Sequence, residues 1–71
     1  MATVYLQQVG EVPAKPVEEL RAGDVTVWNG GAEREVAGVL PSASGRTFRI
    51  VYADDSVDPR RMRAGRLVAV R

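Results

Sequence analysis

The segment Arg46-Thr47-Phe48-Arg49-Ile50-Val51-Tyr52, residues 46–52, has the strongest β-strand pattern in the chain. Phe48, Ile50 and Tyr52 recur at every second position, which places them on one face of an extended strand. Proline, two serines and a glycine precede the segment at residues 41–45, and Asp54-Asp55 follows it. These flanking compositions are typical of a loop and a turn, so the pattern predicts a strand between them.

Further strands are predicted on both sides of this one. Residues 25–28 are rich in β-branched and aromatic side chains, and Asn29-Gly30-Gly31 is a hairpin signal. The partner strand covers residues 32–40, where Gly38 predicts a bulge or bend. Ser56-Val57 begins a return strand, and residues 67–70 form a last apolar strand.

Two short helical turns are expected between these strands. In residues 17–24, Val17 and Leu20 lie three positions apart on one face, and Gly23 supplies the positive φ that ends the turn. We expect this segment to cover one mouth of a barrel. Residues 59–64 follow Asp58 as N-cap, start with a proline and end before a glycine, which predicts a one-turn helix.

The N-terminal residues are expected to be separate from this set. Residues 3–9 alternate loosely between apolar and polar types, which indicates an extra edge strand. Two prolines at 13 and 16 lack donors and fix φ, so residues 12–16 are interpreted as a polyproline-like connector. The chain is therefore divided into residues 1–16, a strand with its connector, and residues 17–71, the main domain.

The order of these elements resembles that of SH3-like barrels of the Tudor and KOW type. The residues that carry the resemblance are Leu20, Gly23-Asp24 and Trp28, then Val51-Tyr52 with Asp54-Asp55, then Leu67-Val68. It covers residues 17–70. The resemblance implies an all-β fold, a small SH3-like barrel of about five strands with a one-turn helix before the last strand.

Composition excludes most catalytic chemistry. The chain has 71 residues without a cysteine or a histidine, so disulfides, cysteine-ligated zinc, thiol nucleophiles and the commonest general base are missing. We therefore expect a non-enzymatic protein without a cofactor. Neither a membrane-spanning apolar run nor a signal-peptide pattern is present, so we expect a cytoplasmic location. Arginine, alanine, valine and glycine usage suggests a bacterial or phage protein.

Charge is distributed unevenly along the chain. Residues 1–40 carry a net −3 and residues 41–71 a net +4. Four arginines fall within seven residues, at Arg60, Arg61, Arg63 and Arg66. Such a cluster pairs with phosphate or carboxylate groups. The alternative is that Asp54, Asp55 and Asp58 balance it, or that the two halves neutralise each other across a sheet.

The aromatic residues have two interpretations, and the aspartates are considered as metal ligands. In Tudor-like barrels, aromatic residues at the places of Trp28 and Tyr52 form a cage for a methylated side chain, but two rings make an incomplete cage. Alternatively, both are core residues. Asp54, Asp55 and Asp58 lack the register of a calcium loop, so no metal site is predicted.

Two functions are compatible with these observations. The leading one is a binding module that contacts a protein partner, or a second copy of itself, by strand addition through residues 3–9. Its candidate contact residues are Val4, Tyr5, Leu6, Trp28 and Tyr52. The alternative is a nucleic-acid-binding barrel that uses Arg60, Arg61, Arg63 and Arg66. Neither a membrane nor a small-molecule substrate is indicated.

Overall fold

The computed structural model describes residues 2–71 as β-strands joined by short turns. The strands are β1 (Ala2–Leu6), β2 (Gly10–Pro16), β3 (Val25–Val27), β4 (Glu33–Pro41), β5 (Thr47–Tyr52), β6 (Arg60–Arg63) and β7 (Leu67–Ala69). Single 3-10 turns lie at Val17–Glu19 and Asn29–Gly31. The all-β prediction is confirmed. Of the strands expected in residues 17–71, β3, β4, β5 and β7 form at the predicted places, whereas β6 forms where a helix was predicted.

The strands form two antiparallel sheets that curl into a half-barrel. One sheet has the order β1-β2-β7 and the other the order β3-β4-β5-β6. The sheets meet where Thr26 and Val70 form an isolated bridge and where the Arg71 N–H donates to the Val25 carbonyl at 2.9 Å. Across both sheets the strands therefore follow one another as β1-β2-β7-β3-β4-β5-β6, with β1 and β6 at the two ends.

The core lies inside the curl of the sheets and draws on nearly every element. Ile50 and Tyr52 of β5 point into it, as the alternation in residues 46–52 predicts. Val17 of the first 3-10 turn and Leu20, which directly follows it, are both buried in the core, so the predicted helical turn is confirmed. The buried cluster comprises Val17, Leu20, Val36, Ile50, Tyr52, Met62 and Val68.

Two glycines act as the sequence predicts. The pairing of β4 with β5 shifts register between Val36 and Gly38, so Gly38 marks a bulge on the strand. Gly23 has a φ of 95° and its N–H donates to the Val36 carbonyl at 2.9 Å. That backbone conformation is open to glycine at little cost, and it turns the chain from the first 3-10 turn into β3.

The polyproline-like connector predicted for residues 12–16 is wrong, because these residues belong to β2. β2 pairs with both β1 and β7. A proline is tolerated in a strand where the ladder does not depend on its missing N–H. Pro13 uses its carbonyl, which accepts the Val70 N–H at 2.9 Å. The nitrogen of Pro16 faces the β1 side beyond the Ala2–Ala14 pair, which is the last pair between these strands.

The one-turn helix predicted for residues 59–64 is also wrong. Arg60–Arg63 form β6, which pairs with β5 from Thr47–Arg63 to Ile50–Arg60. The return strand expected to begin at Ser56 starts later, since residues 54–57 form a turn closed by the Val57 N–H on the Asp54 carbonyl at 3.0 Å. The exposed edge of β5 offers a ladder of hydrogen bonds, and burial of Met62 adds to it, so tertiary pairing overrides the helix signals.

An ion pair joins β2 to the segment before β3 and predicts a dependence of stability on pH. Lys15 Nζ lies 2.7 Å from Asp24 Oδ2, which also accepts the Arg21 N–H at 2.9 Å. The hydrogen bond from Lys15, followed by smaller contributions from the Arg21 N–H and nearby charges, holds the pKa of Asp24 below its usual value.

A carboxyl with a lowered folded-state pKa adds stability above its unfolded pKa of about 3.9, and this stability is lost as pH falls through the folded-state value. We expect urea unfolding curves of wild type and Asp24→Asn to differ at pH 6 to 7 and to converge once the pH has fallen below the folded-state pKa of Asp24. Lys15→Gln should give the same loss near neutral pH, and combining it with Asp24→Asn should add little. Full additivity of the two changes would show that the pair does not act as a unit.

Candidate functional site

An open seam separates β1 from β6, the two end strands of the half-barrel. Side chains from both strands line a groove there, Val4 and Leu6 from β1 and Arg60 and Met62 from β6. Trp28 and Arg66 contribute to the same groove, whose volume is about 220 Å³. We call this groove the seam. It brings three of the predicted partner contacts, Val4, Leu6 and Trp28, together with two of the predicted anion-binding arginines.

Backbone groups of β1 face outward along the seam. Because the Pro13 carbonyl accepts from Val70, the backbone of Pro13 faces β7, and its neighbours in β2 face β1. Residues directly opposite in an antiparallel pair alternate between bonded and non-bonded pairs. The pairing of Pro13 with Thr3 is therefore a non-bonded one. It follows that the N–H and C=O groups of Thr3 and Tyr5 point away from β2 to the free edge.

The same alternation identifies the outward backbone groups of β6. The Ala64 N–H donates to the Arg46 carbonyl at 2.8 Å, so Met62 and Arg60 are the next bonded positions toward β5. The backbone groups of Arg61 and Arg63 then face the open edge. The Arg63 carbonyl is already used, since it accepts the Arg66 N–H at 3.1 Å.

Residues 7–9 hold β1 in place rather than extending it. The strand predicted for residues 3–9 ends at Leu6, and a turn follows. The Gln7 N–H donates to Asn29 Oδ1 at 3.0 Å, and the Gly30 N–H donates to the Gln7 carbonyl at 3.0 Å. The β1–β2 hairpin is therefore fastened to the second 3-10 turn as well as to β7, so β1 is an edge strand of the half-barrel.

Trp28 and Tyr52 do not form an open aromatic cage, because Arg60 covers the Trp28 ring and Tyr52 is buried. The Arg60 guanidinium carbon lies 4.6 Å from the centre of the Trp28 ring, a cation–π contact that occupies this face. Tyr52 is buried in the core, and burial raises the pKa of its hydroxyl above the ordinary value, with Arg60 and Arg34 opposing the rise. Of the predicted aromatic contacts, Tyr5 is the exposed one, at 78 %.

The structure divides the predicted arginine cluster between two surfaces. Arg60 and Arg66 line the seam, whereas Arg61 lies on the outer face of β6, opposite Met62 in the alternation. On that outer face Arg61 stands directly opposite Arg49 of β5. Arg63 and Arg46 line a neighbouring depression. We call Arg46, Arg49, Arg61 and Arg63 the arginine face. Arg46 and Arg49 were not among the predicted anion-binding residues, because a helix at residues 59–64 would not pair with the strand that carries Arg49.

Within residues 2–71, the arginine face has no ion-pair partner. The two ion pairs of this part of the chain are Lys15–Asp24 and Arg71–Glu33. Of the three aspartates expected to balance the arginines, Asp54 is engaged locally. Asp54 accepts the Ser56 N–H at 2.9 Å and the Ser56 hydroxyl at 2.7 Å, and these bonds lower its pKa. Nor do the described residues hold three acidic side chains placed to share a metal ion.

Comparisons with protein families, with curated proteins and with solved structures give no match. Neither 3-10 turn in residues 2–71 has the length and apolar character that a membrane crossing requires.

Proposed function

We propose that this chain is a non-enzymatic binding module that takes up an extended segment of a partner protein at the seam. The observation that supports it most is the free edge of β1, where the backbone groups of Thr3 and Tyr5 face outward beside the groove. An extended peptide that pairs with such an edge gains main-chain hydrogen bonds, and alternate side chains enter the adjacent groove.

The lining of the seam defines the chemistry of the incoming segment. Val4 and Leu6 are half-buried in the groove and favour apolar side chains at alternate positions of the peptide. Arg60 and Arg66 favour a carboxylate beside them. β1 itself, Ala-Thr-Val-Tyr-Leu, carries no charge, so pairing with β1 of a second copy would leave both arginines without a carboxylate. The partner segment is therefore an apolar strand with an acidic residue, from a different protein.

Substitution of Tyr5 tests the strand addition. Tyr5→Pro removes an N–H that the fold does not use, whereas Tyr5→Ala keeps it and removes the same exposed ring. Octapeptides from a random display library are selected on the wild-type protein, and the Kd of an enriched peptide is measured for all three proteins. We expect Tyr5→Ala to stay within a few-fold of wild type and Tyr5→Pro to lose about tenfold or more.

The selected peptides also test whether the partner segment contains an acidic residue. We expect enriched octapeptides to combine alternating apolar residues with aspartate or glutamate, and Arg66→Ala to weaken these peptides more than their asparagine or glutamine versions. Equal loss in Tyr5→Pro and Tyr5→Ala, or enrichment without acidic residues, would contradict the proposal. A dimeric mass in sedimentation that Tyr5→Pro converts to a monomer would identify a second copy as the occupant instead.

A further inference from the structure

We propose a second binding surface, on the opposite face of β6 from the seam: the arginine face binds the phosphate backbone of double-stranded nucleic acid. This surface is independent of the seam in both its residues and its ligand. Arg49 lies on β5, and Arg46 directly precedes that strand. Arg61 and Arg63 lie on the neighbouring strand β6.

The register makes this surface unfavourable for the isolated fold. Arg49 and Arg61 face each other in a non-bonded pair, the type in which opposing side chains come closest, with Cα atoms about 4.5 Å apart. Like charges at directly opposite positions destabilise a sheet. Since these arginines have no ion-pair partner within residues 2–71, an external anion is the group that would relieve their repulsion.

The surroundings of the arginines suit phosphate oxygens. Arg49 and Arg61 line a depression together with the polar residues Ser42 and Thr47 and the apolar residues Leu40 and Pro41, and Thr47 also lines the depression that holds Arg46 and Arg63. Guanidinium groups bind phosphate oxygens through two parallel hydrogen bonds, and serine and threonine hydroxyls add neutral donors. Arg61 and Arg63 are successive outward residues of β6, which lie about 7 Å apart, so together with Arg49 opposite Arg61 they form a row rather than a single point of charge.

A duplex is favoured over a single strand because of what the face lacks. Single-strand binders stack bases on aromatic side chains, and the aromatic residues of β5, Phe48 and Tyr52, belong to the core side of the strand. The outward neighbours of Arg49 on β5 are Thr47 and Val51. The polar groups of this face are guanidinium and hydroxyl groups, which bind the charge and shape of the backbone rather than the base sequence.

Salt dependence of duplex binding tests the inference. Anisotropy of a labelled duplex of about 20 base pairs is titrated with wild type, with Arg49→Ala/Arg61→Ala, and with the charge-matched control Arg21→Ala/Arg34→Ala at exposed positions elsewhere. With each phosphate contact adding about 0.9, we expect wild type to give a slope of log K on log salt near −3 to −4. In the face variant, Arg49→Ala/Arg61→Ala, the slope should become less steep by about 2, and the control should leave it nearly unchanged.

Two further measurements separate binding from folding and from general polyanion affinity. The face variant should melt at the same temperature as wild type or higher, since it removes a like-charge pair, so lost binding is not lost structure. A single strand of the same length should bind more weakly than the duplex. Absence of duplex binding at low salt, an unchanged slope in the face variant, or equal affinity for poly-glutamate would overturn the inference. A peptide selected on the seam would still bind in each of these cases.

Discussion

The variant Val68→Asp is expected to be largely unfolded at room temperature. Val68 lies in β7, opposite Lys15 of β2, and is 2 % exposed within the core cluster. Lys15 is already paired with Asp24, so an aspartate at position 68 places a second carboxylate in an apolar core, which costs about 3–5 kcal/mol. The single core of a chain with 71 residues supplies about 3–5 kcal/mol of stability, so most or all of it is lost.

The adjacent position provides the control. Leu67→Asp makes the same chemical change one residue earlier, where the side chain is 41 % exposed on the other face of β7. We expect Leu67→Asp to keep the wild-type circular dichroism spectrum and a cooperative urea transition, while Val68→Asp loses both. Similar behaviour of the two variants would contradict the alternation of β7 and its place in the core.

The second large effect is expected from Leu20→Ala, which tests the role of the first 3-10 turn. Leu20 follows this turn and is 5 % exposed among Val17, Val36 and the other core residues. Truncating a buried leucine to alanine removes its transfer free energy and leaves a cavity, which costs about 3 kcal/mol, within a range of 2–5. Leu40→Ala is the same substitution at a side chain 54 % exposed on β4.

Urea denaturation measures both leucine variants against wild type. We expect the Leu20→Ala midpoint to fall steeply, with the slope m unchanged, and the Leu40→Ala midpoint to move by the equivalent of about 0.5 kcal/mol or less. Equal shifts for the two variants would mean that the turn covers the core without packing into it.

The sequence was informative where local pattern and tertiary contact agree. In β3, β4 and β5, strong β residues, hairpin chemistry and a bulge glycine all favour the pairing that forms. β2 was missed because proline usually excludes a strand with neighbours on both sides. Whether Pro13 and Pro16 break that pairing depends on which neighbour each nitrogen faces, a property of register that local sequence does not contain.

The arginine surfaces were missed for a related reason. Asp58-Pro59 and Gly65 are good helix punctuation, and a helical turn would group Arg60 with Arg63. In a strand, Arg61 and Arg63 lie on one face and Arg60 lies on the other, beside the seam. The period-2 signal was present, since Met62 is the single apolar residue between arginines, and a strand assignment would also have pointed to Arg49 on the neighbouring strand.

The pairing of β2 with β7 has a kinetic consequence. β3, β4, β5 and β6 follow one another as hairpins, so their contacts close short loops and can form early. Pro13 and Val70 meet only when the two ends of the described chain come together, which closes a loop around all of the other strands. Contacts of such high sequence separation slow folding, so we expect docking of the β1–β2 hairpin to be the last and rate-limiting step.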